Sequence, residues 1–358
     1  MNTKYKYNPD YAVPPGATLQ ETIEDYSITQ TELAKRLGRS GKSINRVING
    51  KEPLTPQLAL QLERILSIPA SFWNSLEKNY REILHKLEDE KKIEEEAEEV
   101  KKFPYAELAN LGLVEKTRKK NVKAENLLRY FAVASFSQIP VVEASGFRIA
   151  NNNNISFESL AAWLRHGEIA ARQIATNNFD SKKLRENITV FKEFTKYKFD
   201  STFLKLKSVC AECGVAVVIS PYLSKTRICG AVRWMSPEKP LLQLSTFSKQ
   251  NDILWFTFFH ELFHIFYSNK TETFIEFDNH SSKNEEIKAD NWAANTLVPN
   301  NKYQKWIQNI NNYSLNSISD FAGELNIGKD ILLGRLQHDK IIDFYKFKNI
   351  HKKIKFQF

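Results

Sequence analysis

Cysteine is scarce in this chain. Cys210, Cys213 and Cys229, three residues in 358, are too few and too odd in number for a disulfide framework, which argues for a reducing compartment. Long apolar runs are missing as well. No stretch approaches the roughly 20 apolar residues that a bilayer helix needs, and the opening MNTKYKYNPDY lacks a basic segment followed by an apolar one. Neither a membrane span nor a secretory leader is expected, and no repeat of fixed period is seen.

With 42% hydrophobic residues, the chain is long enough for two or more globular domains, each with its own core. It is expected to be soluble and cytoplasmic, with no membrane partner. The net charge of +9 favours a polyanionic partner, but where the charge lies says more than its sum. Residues 33–51 hold Lys35, Arg36, Arg39, Lys42, Arg46 and Lys51 with no acidic residue among them, whereas 88–99 is dominated by glutamate. The first cluster is the candidate phosphate-binding face.

Turn signals at Gly38, at Gly50 to Pro53 and at Ile68-Pro69 divide residues 15–80 into short helices. Residues 81–102, rich in helix formers and poor in apolar residues, read as a charged, solvated helical linker. A mostly helical middle region over 103–207 includes a helix start at Ser156 to Ser159 and yields no chemistry of its own. In residues 208–310, the runs GVAVVIS (214–220) and PLLQLS (240–245) read as buried strands of a small sheet. Helices are expected over about 252–267 and 285–297. Residues 311–358 add FAGELNIGKDILLGRLQ, read as two short helices, and a basic tail over 346–355, read as a solvated terminus.

His260-Glu261-Leu262-Phe263-His264 is an HExxH motif at the end of the very apolar run WFTFFHELFHIFY. At about 3.6 residues per turn, His260 and His264 share one helix face and can hold one metal. Glu261, one position round, can then act as general base toward a water held by that metal. A catalytic zinc needs a third protein ligand, and NEEIKAD (284–290) offers Glu286, with Asp290 one turn later to accept an N–H from a ligand histidine. Glu285 is the alternative ligand, although its partner one turn on is Ala289. The E-x-x-A-D spacing resembles the third-ligand segment of thermolysin-like zinc peptidases. Cys210-x-x-Cys213 reads as a pair of buried thiols rather than a second metal site. His280, between the two metal helices, reads as a loop histidine, with oxyanion stabilisation as the alternative.

Thr29 to Glu32 has the pattern of a capping box opening a helix that stops at Gly38, and small Ala34 lets a second helix cross closely. That second helix is expected from about Ser40 to Ile48, with Ile44, Val47 and Ile48 facing the core. Arg39, Lys42, Ser43, Asn45, Arg46 and Asn49 are left as the DNA-contacting set if the helix enters the major groove. The alternative is a helical pair used only for protein contacts.

On these motifs the chain resembles two known families. Residues 15–80, through SITQTELAKRLGRSGKSINRVINGKEPLTPQLALQLERIL, are similar to the DNA-binding domain of HigA-type antitoxins, an XRE-type helix-turn-helix. Residues 214–299, through GAVRWMSPEKPLLQLS, NDILWFTFFHELFHIF and EIKADNWAANTLVP, are similar to the ImmA/IrrE metallopeptidases. The second resemblance implies a zinc-dependent peptidase that cleaves or disables a repressor or antitoxin-type partner and so controls stress, mobile-element or phage-related genes. By match to the motif, it carries over His260, His264 and Glu286 as Zn2+ ligands and Glu261 as the base. Two positions depart from the family pattern: Phe263 stands where glycine is usual, which would narrow the pocket or mark a changed substrate, and Ser268 stands where a further histidine is often found.

The fold expected is α+β: an all-α helix-turn-helix domain over 1–80, the linker, the helical middle region, and a zincin-like domain with a small sheet and the HExxH helix. The partners expected are operator DNA and the protein substrate, and a homodimer is compatible with the sequence. The competing function is a non-catalytic transcriptional regulator or antitoxin that uses its metal domain for sensing or partner binding. Retention of Glu261 favours the enzyme, because a purely structural site has no use for a base.

Overall fold

The computed structural model describes residues 11–142, 155–269, 273–277, 284–310 and 312–356, and the chain divides into two units, Met1–Glu98 and Glu99–Phe358. The first unit is all helical: α1 (Pro15–Asp25), α2 (Gln30–Leu37), α3 (Gly41–Ile48), α4 (Pro56–Leu66) and α5 (Ala70–Glu96). Side-chain oxygens of Thr29, Ser40 and Thr55 each accept a backbone N–H in the first turn of the helix they precede, and proline opens α1 and α4. Gly38, at φ 65°, ends α2 in the left-handed conformation that suits glycine. Only half of the expected capping box at Thr29 forms, because the Glu32 carboxylate pairs forward with Arg36. Gly16 lets α1 lie directly on α3, since a Cβ there would stand 2.2 Å from the Ile48 backbone. Leu19, Leu33, Ile44, Leu58, Leu62 and Trp73 fill the core.

Of the segment expected as a linker, residues 81–96 are the outer part of α5, and residues 99–102 form a short 3-10 helix that belongs to the second unit. No glycine or proline interrupts residues 70–96, so the helix that starts with buried Ala70 and Trp73 runs on into solvent. Pairs one turn apart, Glu77–Arg81 at 2.8 Å and Glu82–Lys86 at 2.6 Å, brace it.

The second unit is α+β. Its helices include α6 (Lys120–Phe131), α7 (Phe157–Arg172) and α8 (Phe199–Glu212), followed by β1 (Ala216–Ser220), β2 (Ile228–Ser236) and β3 (Lys239–Ser245). Next come α9 (Asn251–Tyr267), β4 (Phe274–Phe277), α10 (Asn284–Leu297), α11 (Asn300–Asn309), α12 (Leu315–Glu324) and α13 (Lys329–His338). The sheet runs β1-β3-β2-β4, with β1 parallel to β3 and the other neighbours antiparallel. Alternation along β1 serves both faces: Val217 and Ile219 join the main core with Phe258 and Leu262 of α9, while Ala216 and Val218 meet Ala171 and Ile174. Gln243 of β3 ties α7 to the sheet by donating to the Trp163 carbonyl at 2.6 Å. Gly167 makes room for this contact.

Strands β2 and β4 escape sequence reading. Gly230 and the mixed polar burial of β2 break its apolar pattern, and β4 is four residues long. The basic tail also differs from the solvated terminus expected. Ile350 and Ile354 are buried in the main core, Gln250 bridges Lys353, and the Lys352 amine lies 3.0 Å from the fully buried carboxylate of Asp330. Spaced apolar residues anchor the tail while most of its lysines stay outside. Cys210 and Cys213 are buried free thiols. Among the described residues, no helix is long and apolar enough to cross a membrane.

Candidate metal centre and helix-turn-helix

Helix α9 contains neither glycine nor proline and is buried along most of its length, so it holds its side chains on a rigid axis through the core. His260 and His264 project from one face, their Nε2 atoms 3.2 Å apart. The first turn of α10 brings Glu286 to them, with Oε2 at 3.1 Å from His260 Nε2 and 3.7 Å from His264 Nε2. Glu285, the alternative ligand, is exposed and takes no part in this group. The three residues offer ligand atoms that all lie within 4.8 Å of one another.

The outer nitrogens of both histidines are engaged. Asp290 Oδ1 lies 2.9 Å from His260 Nδ1 and, being a carboxylate oxygen, accepts its proton. Ser268 Oγ lies 3.1 Å from His264 Nδ1 and is placed to do the same. Each ring therefore presents its Nε2 edge to Glu286. Phe274 of β4 stacks on the His264 ring, with centroids 4.5 Å apart and planes at 13°. Burial alone would raise the Glu286 carboxyl, but the two histidines beside it hold it down at about 2, so it is an anion at neutral pH.

Glu261 is fully buried on the side of α9 that faces β2. A Cβ at Gly230 would stand 2.4 Å from Glu261 Oε1 and 2.8 Å from Thr257 Cγ2, so only glycine leaves the carboxylate its place. Sequence reasoning missed Gly230 as part of the site, and no local signal marks it. The Phe263 ring is directed to the α9–α10 packing, with Tyr267 at 4.9 Å and Trp292 at 6.2 Å between centroids. Arg185 caps this aromatic group, 4.2 Å from the Phe266 ring centroid and donating to the Tyr267 hydroxyl at 2.9 Å. His280 lies outside the described residues.

In the first unit, Lys42, Asn45, Arg46 and Asn49 are exposed on α3, while Arg39 and Ser43 are half-buried. Arg46 and Ser43 are already engaged: Arg46 Nε lies 2.6 Å from Glu52 Oε1, and the Ser43 hydroxyl donates to Glu52 Oε2 at 3.1 Å. Asn49 donates to the Asn45 carbonyl at 2.7 Å. Ile48, expected in the core, is half-buried at its edge.

No family model matches the chain. A curated protein similar to part of it is the uncharacterized HTH-type transcriptional regulator YddM of Escherichia coli (strain K12), 25% identical over 63 residues, which is 18% of this chain and 67% of the relative. This likeness supports a helix-turn-helix region at most. The resemblance to the ImmA/IrrE metallopeptidases rests on the motifs alone.

Proposed function

We propose that this chain is a zinc-dependent regulatory peptidase with a DNA-binding N-terminal unit, acting on a repressor or antitoxin-type protein. The observation that carries this reading is the convergence of His260, His264 and Glu286 on one buried point. Four donors around a tetrahedral zinc at about 2.0–2.1 Å stand about 3.3–3.4 Å from one another. The separations of 3.1, 3.2 and 3.7 Å among these three suit that geometry. Two imidazoles and a carboxylate are also the donor set of known catalytic zinc sites, which leave one position open.

Bound there, zinc supplies Lewis acidity, polarising a carbonyl and lowering the pKa of water to about 7. The protein's own groups do the rest. Asp290 and Ser268 orient the two imidazoles, and Glu261 takes a proton from the attacking water and returns it to the leaving amine. The α3 face is the surface assigned to DNA, consistent with the likeness to a transcriptional regulator. That likeness also favours the second reading, a non-catalytic regulator whose metal centre senses or docks a partner.

The two readings separate at Glu261. Purified protein should hold about one zinc per chain. His264→Ala and Glu286→Ala should lose it, whereas Glu261→Gln should keep zinc and DNA binding while partner cleavage falls by about 10²–10⁴. If Glu261→Gln controls its target genes like wild type and His264→Ala does not, the peptidase reading fails and the sensing role stands.

A further inference from the structure

Backbone contacts close the C-terminal tail onto the start of α9. Asn251 donates its N–H to the Lys352 carbonyl at 3.0 Å, Ile354 donates to the Lys249 carbonyl at 2.9 Å, and Gln250 forms an antiparallel bridge with Lys353. The Lys355 N–H reaches the start of α8, 3.2 Å from Asp200 Oδ2. Along this tail the burial alternates as it does in extended backbone. Ile354 and Phe356 pack on the main core, while Lys353 and Lys355 are exposed, with Cα atoms about 6.8 Å apart. Lys249, whose carbonyl holds Ile354, is exposed as well. So is Lys198, whose neighbour Phe199 donates to Asn251 Oδ1 at 2.7 Å.

The acids of this region are taken up inside it. Asp330 is fully buried against the Lys352 amine, Asp252 is buried beside His351, and Asp200 accepts the N–H groups of Ser201 and Lys355. The amines of Lys198, Lys249, Lys353 and Lys355 have no ion-pair partner among the described residues. Cations elsewhere in the unit are matched: on α7, Arg165 and Arg172 share Glu168. Folding of the tail thus fixes four lysines on one face and leaves their charge uncompensated, a field that a polyanion relieves. Lysine is depleted in protein–protein interfaces, which centre on apolar and aromatic anchors, and the tail's own apolar residues face inward. Evenly spaced amines on a fixed backbone suit a phosphate backbone better, where each neutralised phosphate releases counterions.

We propose that the face formed by Lys198, Lys249, Lys353 and Lys355 is a second DNA-binding surface, contacting duplex phosphates without regard to sequence. The choice of DNA among polyanions rests on the regulator reading above, whereas the face itself rests on the anchored tail. Its contribution is separate from that of α3 and from any cleavage, and each can fail alone.

The full-length chain is titrated into a fluorescent random-sequence duplex across a salt series. Combining Lys249→Gln, Lys353→Gln and Lys355→Gln should weaken binding at 0.1 M salt at least about tenfold and flatten the dependence on the logarithm of salt concentration by about two to three units. Arginine at the same three positions should restore both. Glutamine at Lys101, Lys116 and Lys119, exposed in the same unit but joined to the tail by none of these bonds, should change little. An unchanged slope in the first variant, an equal loss in the control, or a wild type that does not bind the duplex would each overturn the proposal. So would loss of binding to polyglutamate with duplex affinity intact, which assigns the face to an acidic protein. Should the combined variant fail to fold, each single Lys→Gln, expected to lower the slope by about one, decides. Lys42→Ala with Arg46→Ala tests α3 in the same assay: if that pair weakens binding and the tail variant does not, this inference fails alone, and the reverse result removes the α3 reading and keeps the tail face.

Discussion

Gly230 carries no side chain, and the Glu261 carboxylate occupies the space one would fill. Gly230→Ala should therefore displace Glu261 and leave the metal donors in place. The expected result is a protein that binds zinc with near-normal affinity, loses partner cleavage, and is less stable by about 1–3 kcal/mol in denaturant unfolding. Retained cleavage would mean that Glu261 shifts without consequence. Ser268 acts on the other side of the cluster. Its hydroxyl lies 3.1 Å from His264 Nδ1, and Ser268→Ala removes that acceptor. Zinc affinity, read by chelator competition, should fall toward the lower end of the about 10–100-fold range seen for such orienting groups, because a neutral hydroxyl polarises imidazole less than a carboxylate does.

At the scale of elements, α3 and the turn after it hold a balance between internal and external partners. Glu52 lies just past the basic run of residues 33–51 and takes both Arg46 and Ser43 for itself. DNA phosphates must compete with that carboxylate. Glu52→Gln should strengthen non-specific DNA binding and steepen its dependence on the logarithm of salt concentration by about one unit, the contribution of one further phosphate contact. Anisotropy titrations across a salt series measure both. An unchanged slope would show that Arg46 stays clear of the phosphates and would support a protein-docking use of the helix pair. The start of α9 is also fixed from outside, where Asn251 in its first turn donates to Asp330 at 2.6 Å, and its end closes by the Ser268 N–H donating to the His264 carbonyl.

Over the whole second unit, the C-terminal tail returns to the start of the HExxH helix. His351 lies beside Asp252, whose carboxylate raises its pKa above the ordinary histidine value. The folded state thus holds this proton more tightly than the unfolded chain does. Its contribution to stability is fully present below about pH 6.5, the unfolded value, and is lost as pH rises through the higher folded value. Unfolding of the full chain should show the second unit weakening across that window, and His351→Gln should flatten the dependence. If the variant keeps the wild-type slope, some other group supplies it.

The sequence by itself determined what depends on neighbours within a few turns: the helix starts at Thr29 and near Ser40, the shared face of His260 and His264, the Glu286 and Asp290 pair, and the strands over 214–220 and 240–245. These are legible because helical and extended periodicities put fixed spacings on fixed faces. The tertiary structure alone decided that Gly230 makes room for Glu261 and that Glu52 holds Arg46. It also decided that the basic tail is anchored in the core. Each of these turns on which surfaces pack together, and that choice is made by apolar burial summed over the whole unit, which no local pattern records.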